Sequence, residues 1–146
     1  MPNMPAAIVT GLGSVKCVDV PTLEPEEGKV LVKTNLASIC GSDLHVVYMG
    51  WNATGYPLNP GHPGHEAIGE VIDDGGSTFS RSNTVLTVPN VFKAACFAEY
   101  QLLEPKYLVD VPMNMPEVIM AQQLGTVIYG SKQLPKLEGA TVVVIG

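Results

Sequence analysis

Apolar and polar residues alternate with period two over several short stretches, and glycine, proline or paired acids punctuate them. Ala6 to Thr10 and Val15 to Val20 flank Gly11-Leu12-Gly13, a spacing that predicts a hairpin. Pro21 to Gly28 is rich in proline and glutamate and reads as a surface connection. From Lys29 to Ile39 the alternation places Val30, Val32, Thr34, Leu36 and Ser38 on one face of a strand, with Leu31 on the other. Glu66 to Ile72, Thr84 to Val88 and Phe97 to Leu103 predict further short strands. Many short strands separated by Gly/Pro turns predict a mainly β fold, a barrel or a sandwich.

Two stretches depart from that period. Ser42 or Asp43 can cap a short helix running to about Gly50, by accepting from its orphan amides. After Pro112, Asn114 can cap a second helix that begins near Pro116, with Glu117 in its first turn. Met120, Leu124, Val127, Ile128 and Leu134 recur along it at helical spacing until Pro135. Between the short helix and the next strand, Trp51 to Pro63 is a proline- and glycine-rich loop. Ala140 to Gly146 is a continuous β-branched run, the pattern of a strand buried on both faces of a parallel sheet. Two regions follow, 1–136 as a β domain and 137–146 as the first strand of another.

Composition narrows the function. With 46% hydrophobic and 15% charged residues, the 146-residue chain has the balance of a globular domain. A net charge of −6 without a Lys/Arg run disfavours nucleic acid and anionic membranes as partners. No apolar run reaches the roughly 20 residues of a membrane span, and the N-terminus lacks a signal-peptide pattern. Three cysteines at no scaffold spacing predict a reducing compartment, the cytoplasm.

The chemistry concentrates in Cys40-Gly41-Ser42-Asp43-Leu44-His45 and Gly64-His65-Glu66. Thiolate, imidazole and carboxylate are the side chains that bind zinc. Ligands drawn from separate loops suit a catalytic site, whereas structural sites more often use Cys-x-x-Cys pairs, which this chain lacks. Cys40 also reads as an unreactive buried thiol, Ser42 and Asp43 as helix caps, and His62 as a turn residue outside the ligand set. Cys96, among Ala94, Ala95 and Phe97, reads as a small buried hydrophobe, and Cys17 as structural.

Ile39 to His45, Pro63 to Val71, Phe97-Ala98-Glu99-Tyr100 and Val142 to Gly146 together resemble the zinc-dependent medium-chain alcohol and polyol dehydrogenases, in order and approximate spacing. The resemblance implies a GroES-like β barrel carrying a catalytic zinc, followed by a Rossmann domain for NAD or NADP. The chain would end in that domain's first strand and so look like an N-terminal portion, inactive by itself. Cys40 and His65 resemble zinc ligands, and Asp43 the carboxylate that takes the other imidazole N–H. Glu66 resembles the adjacent acid, Ser42 and His45 the proton relay, and Thr126 a residue beside the nicotinamide. Zinc would hold an alcohol or polyol oxygen as the alkoxide while hydride passes to the nucleotide.

Two positions depart from that pattern. No four-cysteine lobe lies between Val88 and Phe97, so a structural zinc is not expected. Gln122 falls where a third ligand, usually Cys or Glu, is expected, which makes Cys40, His65, Glu66 and Gln122 the candidate set. A zinc-free reductase of the quinone-reductase branch and a lone GroES-like binding or assembly module remain as alternatives. Apolar positions around Val127 and Ile128 predict self-association into a homo-oligomer.

Overall fold

The computed structural model describes residues 2–111, 115–136 and 138–145. An N-terminal hairpin is formed by β1 (Asn3–Gly11) and β2 (Ser14–Pro21), antiparallel with Ala7 opposite Cys17. Its turn uses Gly13 at φ +67°, a left-handed conformation that glycine adopts without strain. Met4 and Ala6 are buried on one face of β1 and Val9 on the other, and the hairpin forms where the two runs flanking the glycine turn predict it.

The main sheet has five antiparallel strands in the order β6-β3-β4-β5-β7. They are β3 (Val30–Ala37), β4 (Ala67–Asp73), β5 (Thr84–Thr87), β6 (Tyr100–Leu103) and β7 (Leu108–Asp110). Val30, Val32, Val71, Val85, Leu103 and Leu108 pack on one another to form the main core. Each such side chain contributes about 1.5–3 kcal/mol on burial, whereas a surface ion pair contributes about 0–1 kcal/mol. The exposed pairs Lys29–Glu26 and Arg81–Asp73 are therefore minor beside that cluster. Ile68 and Leu86 face away from it and pack with Val111 and Ile119.

The hairpin continues the sheet through the segment before β6. Ala7 donates its amide to the Phe97 carbonyl (2.8 Å), Glu99 donates to the Pro5 carbonyl (3.0 Å), and Thr34 donates to the Glu99 carbonyl (2.8 Å). Residues 97–99 are thus stitched to β1 on one side and β3 on the other. The result matches the expected GroES-like β architecture with short helices.

The helices are α1 (Gly41–Met49) and α2 (Met120–Lys132), the latter entered through a 3-10 turn at Pro116–Ile119. The cap of α1 differs from expectation. Cys40 is the N-cap, and Asp43 sits three positions in, turning its carboxylate back to the Cys40 amide. Acid in the first turn also suits the helix dipole. The expected Asn114 cap lies outside the described residues.

Three details depart from the alternating pattern. Leu31 is buried like its neighbours Val30 and Val32, so both faces of β3 are covered there. The three-residue β7 is too short to leave a periodic signal. Residues 140–145, expected as a strand, join no ladder among the described residues, and Val143, Val144 and Ile145 are exposed. A β run without a partner has no hydrogen bonds to define it. Gly146 lies outside the described residues.

Candidate metal centre

Two loops converge at the C-terminal end of β3. The first leaves β3 at Ala37 and enters α1 through Cys40. The second, Gly61 to Glu66, is laid against Ala95–Phe97: Phe97 donates to the Gly61 carbonyl (3.1 Å) and Cys96 to the Gly64 carbonyl (2.9 Å). Gly61 in turn donates to the Ala7 carbonyl (2.9 Å), which ties this loop to β1. Close packing explains its glycines. A Cβ on Gly61, whose φ is +80°, would meet the Ala95 carbonyl oxygen at 2.2 Å. One on Gly64 would meet Cys96 Sγ and the Phe97 ring at 2.7 Å. The amide of Ser38 donates to the Glu66 carbonyl (3.0 Å) and clips the two loops together.

This framework brings Cys40, His65 and Glu66 to one point. One ligand atom from each lies within 4.8 Å of the others. Donors around a tetrahedral zinc stand roughly 3–4 Å apart, so a small contraction would close the set. Cys40 is partly exposed, while His65 and Glu66 are buried.

The imidazole of His65 is oriented from behind. Its Nδ1 lies 3.0 Å from Asp43 Oδ1 and 3.2 Å from the Pro63 carbonyl, and Nε2 faces Glu66 Oε1 at 4.0 Å. The Asp43 hydrogen bond raises the His65 pKa to about 9 against the opposing effect of burial. Asp43 itself is 2% exposed and divides its two oxygens between His65 and the Cys40 amide. A buried carboxylate needs such partners, since leaving its charge unpaired would be costly.

Glu66 is held by donors from two elements. Ser38 Oγ and Gln123 Nε2 (3.0 Å) both donate to Oε2. The amide that reaches the centre from α2 is therefore Gln123. Its neighbour Gln122 is half-buried, and its carbonyl accepts the Thr126 hydroxyl at 3.3 Å. Neither Ser38 nor Gln123 stands out by sequence, although Ser38 precedes the cysteine by two positions.

The other anticipated residues are distributed around this point. Ser42 Oγ lies 3.4 Å from His65 Nε2, at the mouth of the donor set. His45 is exposed one helical turn further along α1, and Thr126 is exposed on α2. His62 stays outside the donor set, half-buried, its pKa lowered chiefly by burial. Cys96 is buried, its Sγ 3.6 Å from the Glu66 carbonyl oxygen, and burial pushes its thiol up to about 12. Cys17, expected to be structural, is exposed on β2. Behind Asp43, between the hairpin and α1, lies an apolar cavity of about 360 Å³ walled by Val9, Val15, Leu44, Val47 and Phe97. Tyr48 borders this cavity, while Trp51 and Tyr56 lie exposed in the loop after α1.

A β domain that gathers thiol, imidazole and carboxylate at the entry to a short helix defines a candidate single-ion centre. The chain belongs to the alcohol dehydrogenase GroES-like domain family, whose sequence profile matches residues 26–113. It is 27% identical to an alcohol dehydrogenase of Moraxella sp. (strain TAE123), over 98% of this chain and 51% of that protein. A trans-enoyl reductase of Botryotinia fuckeliana is 34% identical over 77% of this chain and 30% of its own length. The chain thus spans about half the length, or less, of these curated relatives. Among solved structures, a putative zinc-binding dehydrogenase from Sinorhizobium meliloti 1021 bound to NADP superposes with a TM-score of 0.75. That match covers 91% of this chain and 46% of the other at 20% identity, which speaks to the fold alone. Among the described residues no helix is long and apolar enough to cross a membrane.

Proposed function

We propose that this chain supplies the zinc centre of an NAD(P)-dependent oxidoreductase that interconverts an alcohol or polyol with a carbonyl compound. The observation that carries the reading is the meeting of Cys40, His65 and Glu66 within 4.8 Å. The donor set fits zinc: one thiolate, one imidazole and one carboxylate are borderline-soft ligands suited to that ion. Gln122 is retained as a candidate fourth ligand. When bound, zinc supplies Lewis acidity that makes the substrate hydroxyl easier to deprotonate.

The chain's own residues do the remaining work. Asp43 holds the proton on His65 Nδ1, which leaves Nε2 as the ligand atom. Ser42 Oγ, 3.4 Å from that nitrogen, takes the substrate hydroxyl proton. His45, three residues on and thus on the same helix face, passes the proton to solvent. Thr126, exposed on α2, would stand beside the nicotinamide of a bound NAD(P).

Cysteine usage fits the cytoplasm, the three thiols being free. The exposed Leu124, Val127 and Ile128 of α2 support self-association, read by sedimentation across a tenfold concentration range. Zinc per chain after dialysis at neutral pH tests the central reading. A ratio near one is expected. A ratio near zero overturns it in favour of the zinc-free reductase branch.

A further inference from the structure

The two oxygens of Glu66 have different company. Oε2 accepts from Ser38 Oγ and from Gln123 Nε2, whereas Oε1 lies 4.0 Å from His65 Nε2. We propose that Ser38 and Gln123 form a clamp that fixes Oε1 as the one Glu66 atom presented to the ion, which makes both of them positioning residues of the centre. This inference rests on the metal-centre reading above.

A free carboxylate can meet a cation through either oxygen or both, and can rotate between these states. Two donors on the same oxygen oppose that rotation, because turning Glu66 would break both bonds inside a buried site. The donors are also neutral. A hydroxyl and an amide hold the carboxylate by charge-assisted bonds without cancelling the charge a cation needs. They arrive from different directions, Ser38 from the end of β3 and Gln123 from the first turn of α2. Ser38 grips the residue twice, since its amide also binds the Glu66 carbonyl at 3.0 Å. Gln123 makes α2 part of the centre.

The test compares the wild-type chain with Ser38→Ala, Ser38→Thr and Gln123→Met. Zinc affinity is read by competition with a chromophoric chelator, and coordination by the d–d spectrum of the cobalt-loaded chain. Ser38→Ala and Gln123→Met are each expected to weaken zinc binding about 10–100-fold, the range for partners that orient a ligand. Both should change the cobalt bands, while Ser38→Thr, which keeps the hydroxyl, retains the wild-type spectrum. Wild-type affinity and an unchanged spectrum in Ser38→Ala and Gln123→Met would overturn the clamp while leaving the metal centre standing. Failure of the wild-type chain itself to hold zinc would overturn the metal reading, and the clamp's role toward an ion with it. Should Ser38→Ala not fold, the half-buried Gln123→Met decides alone.

Discussion

Asp43 Oδ1 lies 3.0 Å from His65 Nδ1, and this bond selects the ring nitrogen that remains for a metal. The same carboxylate takes the Cys40 amide at 2.8 Å, so one side chain fixes the approach of two ligands. In Asp43→Asn the His65 midpoint, read by NMR on the metal-free chain, is expected to fall from about 9 towards its ordinary 6.5. Zinc affinity should fall about 10–100-fold with it. A midpoint that stays near 9 would show that the raised value has another source.

The same shift predicts a pH dependence of folding. The native metal-free chain holds a proton on His65 that the unfolded chain releases near 6.5. The resulting stability is fully present below pH 6.5 and is lost as pH rises through about 9. Urea unfolding at pH 6, 7.5 and 9 should show this decline, and His65→Gln should remove it. Equal slopes in the two proteins would refute the assignment. Zinc competes with the proton for Nε2, so loading at neutral pH should release acid into an unbuffered solution.

Thiol reactivity separates Cys17 from Cys96. Burial pushes the Cys96 thiol up to about 12 and shields its sulfur. At pH 8 iodoacetamide should therefore modify exposed Cys17 and leave Cys96 intact until the chain unfolds. Peptide mass mapping reads this directly, and rapid native modification of Cys96 would contradict its packing.

Gly64 is pressed against Cys96 and Phe97, and Gly64→Ala forces a methyl into contacts of 2.7 Å. Overpacking of this kind costs about 1–3 kcal/mol. The thermal midpoint should drop, and zinc affinity should drop further than in Gly130→Ala, where the backbone is helical and a Cβ meets nothing within 4 Å. Equal losses in both variants would mean that the loop tolerates displacement.

The pairing of Cys40 with His65 and Glu66 was legible because each lies in a short run of polar, chemically matched neighbours that no apolar period explains. The hairpin and β4 were legible for the opposite reason, short apolar stretches closed by glycine turns. Gln123 was not. A helix can be placed by its spacing, but which of its side chains meets a buried carboxylate depends on packing against other elements. The run at 140–145 was read from side chains alone, whereas a strand also needs a neighbour to bond with. Ser38 escaped notice as one more residue on a strand face, since nothing in its type says that Glu66 will lie beside it.

The hairpin is more than an edge. Its Ala7 carbonyl receives the Gly61 amide and its Val9 carbonyl receives that of Leu58, both at 2.9 Å, so β1 forms the roof over the loop that carries His65. Peeling that roof away on warming would scatter the three ligands while the five-stranded sheet, with its valine-rich interior, still stood. Loss of metal should therefore precede loss of fold, and a melt followed by released zinc should run ahead of one followed by circular dichroism.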